Sequence, residues 1–116
     1  MSYINAFNKQ LLNLLTEISK QYPDNLNLKS LKNSLFLLVK TSPSKPISVY
    51  YDKVYKYNNE ITNEDEKFFL CFNLKGTLLE EFEYIKNIWK TSNEKNKKIM
   101  WTYFKVFNKL VEKHYS

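Results

Sequence analysis

Apolar residues return at three- and four-residue intervals along most of this chain, the spacing of one helix face rather than the alternation of a strand. Ile4, Phe7, Leu11, Leu14, Leu15, Ile18 and Tyr22 fall on one narrow arc, Ser2 can cap the start, and Pro23-Asp24-Asn25 stops the helix. Leu28, Leu31, Leu35, Leu38 and Val39 predict a second helix. It ends at Thr41-Ser42-Pro43-Ser44, because a residue before proline is pushed out of the helical region. Residues 47–57 have the Val and Tyr content of a strand, but apolar positions 47, 50, 51, 54 and 57, with Ser44 and Pro46 at the start, predict a third helix.

Residues 58–62 read as a polar connection, and Asn63 with Glu66 resembles a capping box opening a short helix through residues 68–72. Asn73 and Gly76 mark a stop. Thr77-Leu78-Leu79-Glu80 is a capping-box signature for a fifth helix carrying Leu78, Leu79, Phe82, Ile85 and Trp89 inward. Thr91-Ser92-Asn93-Glu94 repeats the device before the longest helix, over residues 93–115. Each cap contributes about 1 kcal/mol, enough to set a boundary but not a fold. The expectation is all-α: a compact bundle of five to six helices in a single domain over residues 1–116.

Composition supports a core. The chain has 116 residues, 43% of them hydrophobic and 16% aromatic, which excludes global disorder. Cys71 is alone, so no intrachain disulfide forms, and its apolar neighbours predict a small buried hydrophobe in a reducing compartment. The longest apolar runs, residues 35–39 and 68–72, fall far short of the roughly 20 residues of a membrane span. With no secretory signal before the first helix, the chain reads as soluble and intracellular.

All of the positive charge comes from 18 lysines, without an arginine. Ammonium groups neutralise phosphate but cannot make the planar bidentate contact of guanidinium, which excludes an arginine finger and arginine-based base reading. The charge is segregated. Residues 1–59 hold eight lysines against three acids, residues 60–85 two against seven, and residues 86–116 eight against two. An acidic middle between basic flanks can attract them within one molecule or between two, or remain solvated.

Several chemistries have no residues to carry them. His114 is the one histidine, so a metal site or a catalytic triad lacks its other members. One glycine cannot build a phosphate-cradling loop. Glu64-Asp65-Glu66 could hold a divalent cation, but acids in a first helical turn serve the dipole. No enzyme, metal or cofactor is expected.

Two surfaces are candidates for contact. On the last helix Ile99, Tyr103, Val106, Phe107, Leu110, Val111 and His114 share a broad apolar arc. Lys98, Lys105 and Lys109 line the opposite face, with Lys113 at its edge and Trp101 beside Lys98 and Lys105. A basic stripe with an aromatic binds nucleic acid without sequence preference, by phosphate neutralisation and stacking, unless Trp101 packs on a neighbouring helix instead. Four phosphate contacts would give a salt slope of about −3.6. The other surface is Tyr50, Tyr51, Tyr55 and Tyr57, with Phe36 beside them, since tyrosine buries its ring while its hydroxyl stays wet, as protein interfaces use it. Protein–protein contact, by self-association or docking, is the leading expectation and nucleic-acid binding the alternative; no membrane partner is expected.

A family resemblance follows from four stretches. Residues 31–45, which end in Lys40-Thr41-Ser42-Pro43-Ser44-Lys45, resemble the helix and "K-T-x-P-x-K" turn of short proteins of giant nucleocytoplasmic DNA viruses. Residues 60–70, from Glu60-Ile61-Thr62-Asn63 to Phe68-Phe69-Leu70, are similar to the "I-x-N-x-D-x-x-F-F-L" box of that family. Residues 92–101 match its Lys- and aromatic-rich last helix, and Phe7-Asn8-Lys9-Gln10-Leu11-Leu12 fits its opening. Cys71-Phe72-Asn73 stands where the family has a D-Y pair. The resemblance implies a viral origin, a small helical fold, and a place in the infected host cell, whether cytoplasm, viral factory or virion. It carries over no functional residue.

Overall fold

In a computed structural model, which describes residues 2–116, α1 spans Tyr3–Gln21, α2 spans Leu26–Thr41, and α3 spans Lys45–Lys53. Three short helices follow: α4 at Asn58–Thr62, α5 at Phe68–Cys71 and α6 at Ile85–Thr91. The longest, α7, runs over Glu94–Tyr115. Tight 3-10 turns at Tyr55–Tyr57 and Glu80–Tyr84 join the pieces, and no strand occurs among the described residues. The all-α expectation holds, with seven helices among the described residues rather than five to six.

Each of α1, α2 and α7 begins at a side-chain cap. Ser2 Oγ accepts from the Asn5 N–H at 3.2 Å, Asn25 Oδ1 from Leu28 at 3.0 Å, and Asn93 Oδ1 from Asn96 at 2.9 Å. Asn25 also donates its amide to the Tyr84 hydroxyl at 2.9 Å, which ties the start of α2 to the second 3-10 turn. The Cα radius of gyration is 13.3 Å, against about 13.4 Å expected for one globule of this length, so the helices form a single unit.

The packing is built around α1 and α7, which make the most extensive contact between elements. Phe7, Tyr50 and Phe107 join α1, α3 and α7 with centroids 5.2–5.7 Å apart. A second aromatic cluster surrounds Phe68 and Phe69: Phe69 stacks on Trp89 at 3.9 Å and meets Trp101 edge-on at 5.2 Å. Two buried asparagines fix the alignment of the helices. Asn8 donates to the Pro43 carbonyl at 2.8 Å, and Asn108 accepts from the Tyr50 hydroxyl while donating to Asn58 Oδ1 at 2.8 Å. Breaking such a buried pair costs about 1–3 kcal/mol, more than the pair contributes, so it selects one register of α3 and α4 against α7.

The middle of the chain departs from expectation, and each departure has a local cause. The third helix ends at Lys53 rather than Tyr57; the backbone tightens after Val54, which is buried, and resumes as α4. That change of phase delivers Ile61, fully buried, from what read as a polar connection. Asn63 and Glu66 do not cap a helix. They lie in the exit of α4, where the Asp65 N–H returns to Glu60 O at 2.8 Å and the Glu64 N–H to Ile61 O at 3.1 Å. This is the Schellman arrangement, and it puts Glu64 at φ 52°, where glycine is the usual occupant.

The Thr77-x-x-Glu80 signature likewise forms a turn and not a helix start. Thr77 Oγ1 donates to Leu74 O at 2.7 Å and accepts from the Leu79 N–H at 3.1 Å. Gly76 at φ 80° supplies the left-handed residue. Leu79, Phe82, Ile85 and Trp89 point inward as expected, but Leu78 is 61% exposed. Cys71, expected inside, is exposed, because α5 is a single turn whose buried face is taken by Phe68 and Phe69.

Candidate interaction surface

The four tyrosines of the third segment divide between core and surface. Tyr50 is buried, donates to Asn108, and has its phenol pushed well up from the usual range by burial. Tyr57 meets Phe68 edge-on at 6.0 Å and donates to the Cys71 carbonyl at 3.1 Å, so it fastens the α5 turn. Tyr51 is exposed and faces a ring from the far end of the chain, while Tyr55 is half-buried against the core. Tyr51 stacks on Tyr115 at 4.1 Å and 18°, and on its other side lies Tyr55 at 5.9 Å and 27°.

The result is a three-ring ladder with Tyr51 46% and Tyr115 43% exposed. Glu112 holds its inner end. The Tyr55 hydroxyl donates to Glu112 Oε1 at 3.0 Å; its pKa is raised first by desolvation, then by that carboxylate. His114 meets Tyr115 edge-on at 4.7 Å. Phe36 stands apart: it stacks on none of these rings, and the Lys40 ammonium lies over its face at 4.4 Å. Tyr115 and Glu112 complete the surface and were not among the residues singled out from the sequence. Nothing in the sequence pairs Tyr115 with a ring 64 residues earlier.

The lysine stripe is rearranged more strongly. Trp101, the stacking candidate, is 5% exposed, with Trp89 edge-on at 5.0 Å and Phe69 beside it. Its ring packs on neighbouring helices and offers no face to a base. The buried face of α7 runs through Met100, Trp101, Phe104, Phe107, Asn108 and Val111, about a quarter turn from the arc read off the sequence. Val106 is consequently exposed, while Ile99, Tyr103, Leu110 and His114 are only half-buried.

Lys98 and Lys105 converge on Glu64 at 3.6 and 2.6 Å, and Lys97 reaches Glu66 at 3.2 Å. The Lys105 hydrogen bond is the first cause that lowers the Glu64 carboxyl below the usual range, with the charges of Lys105 and Lys98 adding to it against some desolvation. Three acids of the middle section, Glu64, Glu66 and Glu83, are thus paired with lysines inside the molecule. Glu83 takes Lys86 at 3.0 Å and the Leu74 N–H at 2.9 Å, and Glu81 takes Ser34 at 3.1 Å. Lys109, 77% exposed, has only a loose contact with Glu112 at 3.7 Å.

Lys105, Lys109 and Lys113 line one side of a groove of about 520 Å³ between α4 and α7. Val106 and Leu110 contribute apolar lining, Asn58 and Thr62 line it from α4, and Glu112, which also holds Tyr55, lines it as well. By contrast, the void among Phe7, Tyr50, Phe68, Phe104 and Phe107 is about 30 Å³, room for no more than a water-sized guest. Among the described residues no cluster of three or more His, Cys, Asp or Glu gathers as metal ligands would, and no helix is long and apolar enough to cross a membrane. No known protein family, curated protein or solved structure matches the chain. What this surface can do chemically is stack, bury apolar area and pair ammonium with acid.

Proposed function

We propose that this protein is a non-enzymatic interaction module that binds another protein, or a second copy of itself, through the Tyr51–Tyr55–Tyr115 ladder. The setting implied by the giant-virus resemblance is the infected cell. One observation carries the reading: three aromatic rings, two of them more than two-fifths exposed, are held in a stack by a carboxylate at the surface of a well-packed bundle. Ordered rings spare a partner the roughly 0.5–1.5 kcal/mol per side chain that immobilising a free one costs, which is how preorganised hot spots gain affinity. Nucleic-acid binding has weaker support, since Trp101 is enclosed and Lys98 and Lys105 share one carboxylate.

Light scattering over a dilution series, together with pull-down from expressing cells, tests this with wild type and with Tyr51→Ala plus Tyr55→Ala. The expected result is an oligomer or a retained protein that the double variant loses while staying folded. A wild type that is monomeric at every concentration, with every retained protein also retained by the variant, would overturn the reading.

A further inference from the structure

The ladder does not account for the groove beside it, and the groove has a shape and chemistry of its own. Lys105, Lys109 and Lys113 recur every four residues and form one row along α7, about 12 Å from first to last. Val106 and Leu110 form the adjacent row, one residue on, with Val106 37% exposed. Thr102 extends the lining, so the groove follows α7 for about three turns. A basic row beside an apolar row is the complement of a helix that carries an acidic row beside an apolar one, as helix-in-groove recognition uses it.

Charge accounting narrows the occupant. Lys105 is already held by Glu64 at 2.6 Å, whereas the Lys109–Glu112 contact at 3.7 Å is an exposed pair of the kind that contributes little. Lys109 and Lys113 are therefore the ammonium groups open to a guest, and Glu112 already accepts from Tyr55. A second copy of this chain is a poor donor of the matching acids. Among the described residues no α-helix of this chain carries two acids three or four residues apart, so a second copy has no acidic row to offer. Nucleic acid would use the lysines but find nothing for its phosphates on Val106 and Leu110.

We propose that the α4–α7 groove receives an amphipathic helix of another protein, its acidic row on Lys109 and Lys113 and its apolar row on Val106 and Leu110. This rests on the reading of the protein as an interaction module but uses residues other than the ladder.

The test uses the full chain and a fluorescent synthetic helix of about 20 residues, longer than the roughly 12–15 below which an isolated helix is marginal. It carries Leu at helical spacing with Glu four residues apart beside them; controls are the same composition scrambled and an oligodeoxythymidine of about 20 nucleotides. The helix should bind in the micromolar range, and Lys109→Glu plus Lys113→Glu should weaken it about tenfold or more. Val106→Ser should weaken it several-fold, and Tyr51→Ala should leave it unchanged. Equal binding of the scrambled peptide would overturn the proposal, as would no binding at all. Displacement of the helix by the oligonucleotide would overturn it in favour of nucleic acid. If the groove fails here while the Tyr51 and Tyr55 variant still loses association, the module stands without the groove; if both fail, the module fails as well.

Discussion

Between Lys97 and Lys105, α7 lays its lysines against the turn that leaves α4, where Glu64 and Glu66 receive them at 2.6 to 3.6 Å over the enclosed Trp89 and Trp101 pair. Between Lys109 and Tyr115 the same helix meets one acid, Glu112, and ends in an exposed ring stacked on Tyr51. Both halves are rich in lysine and aromatic residues, yet one closes over buried tryptophans and the other leaves its terminal ring exposed. The difference comes from the partner element. A left-handed glutamate at the end of α4 faces the first half, and the short α4 leaves a groove beside the second. A run of like charge in a sequence therefore locates ammonium groups without saying which of them are free.

The comparison predicts very different costs for removing one ring from each half. Trp101→Ala takes a buried indole from contact with Trp89, Phe69 and Phe68, and should cost about 3–5 kcal/mol in urea denaturation. Tyr51→Ala removes a half-exposed ring from a surface stack, and its cost should be about 1 kcal/mol or less. Similar losses for the two would erase the distinction between a closed half and an open one.

A smaller effect sharpens it through pH. The Glu64 carboxyl titrates below its unfolded value, so the stability it contributes is present above the ordinary carboxylate range and disappears as pH falls through the folded value. Glu64→Gln should lower the denaturation midpoint at neutral pH and low salt. The gap should narrow with added salt and close in acid, where wild type has also lost the charge. A gap that persists in acid would mean the strained backbone, rather than the lysine pairing, is what the substitution disturbs.

Sequence periodicity was most legible where helices are long. The start of α1 is capped by Ser2 as its sequence suggests, whereas Asn25, which reads as part of a stop, caps α2, and Asn93 caps α7 in place of the Thr91 of the capping-box signature, which ends α6. The middle was misread because capping-box residues also make turns: Thr77 and Glu80 bond to backbone in a loop, and a helix of five residues is too short to show a period. On α7, the apolar arc read from the sequence missed Trp101 and Phe104 because its aromatic residues spread over nearly half of the helix circumference, and only the position of Phe69 and Trp89 decides which are inside.

Of the candidate surface, Tyr51 and Tyr55 were visible as an aromatic concentration. Tyr50 and Tyr57 have inward roles that depend on Asn108 and on the Cys71 carbonyl, both distant in sequence. The same holds for Tyr115, which joins the ladder only because the last turn of α7 packs beside α3.

The most direct measurement places a photo-crosslinking phenylalanine at position 51 in one variant and at position 98 in another, with illumination in cells that make the protein. Both sites are solvent-facing, with the Tyr51 ring and the Lys98 side chain 46% and 73% exposed. The account predicts a discrete protein adduct from position 51 and none from position 98. Adducts of equal yield from both, or an adduct from position 98 alone, would contradict the assignment of contact to the open half of the molecule.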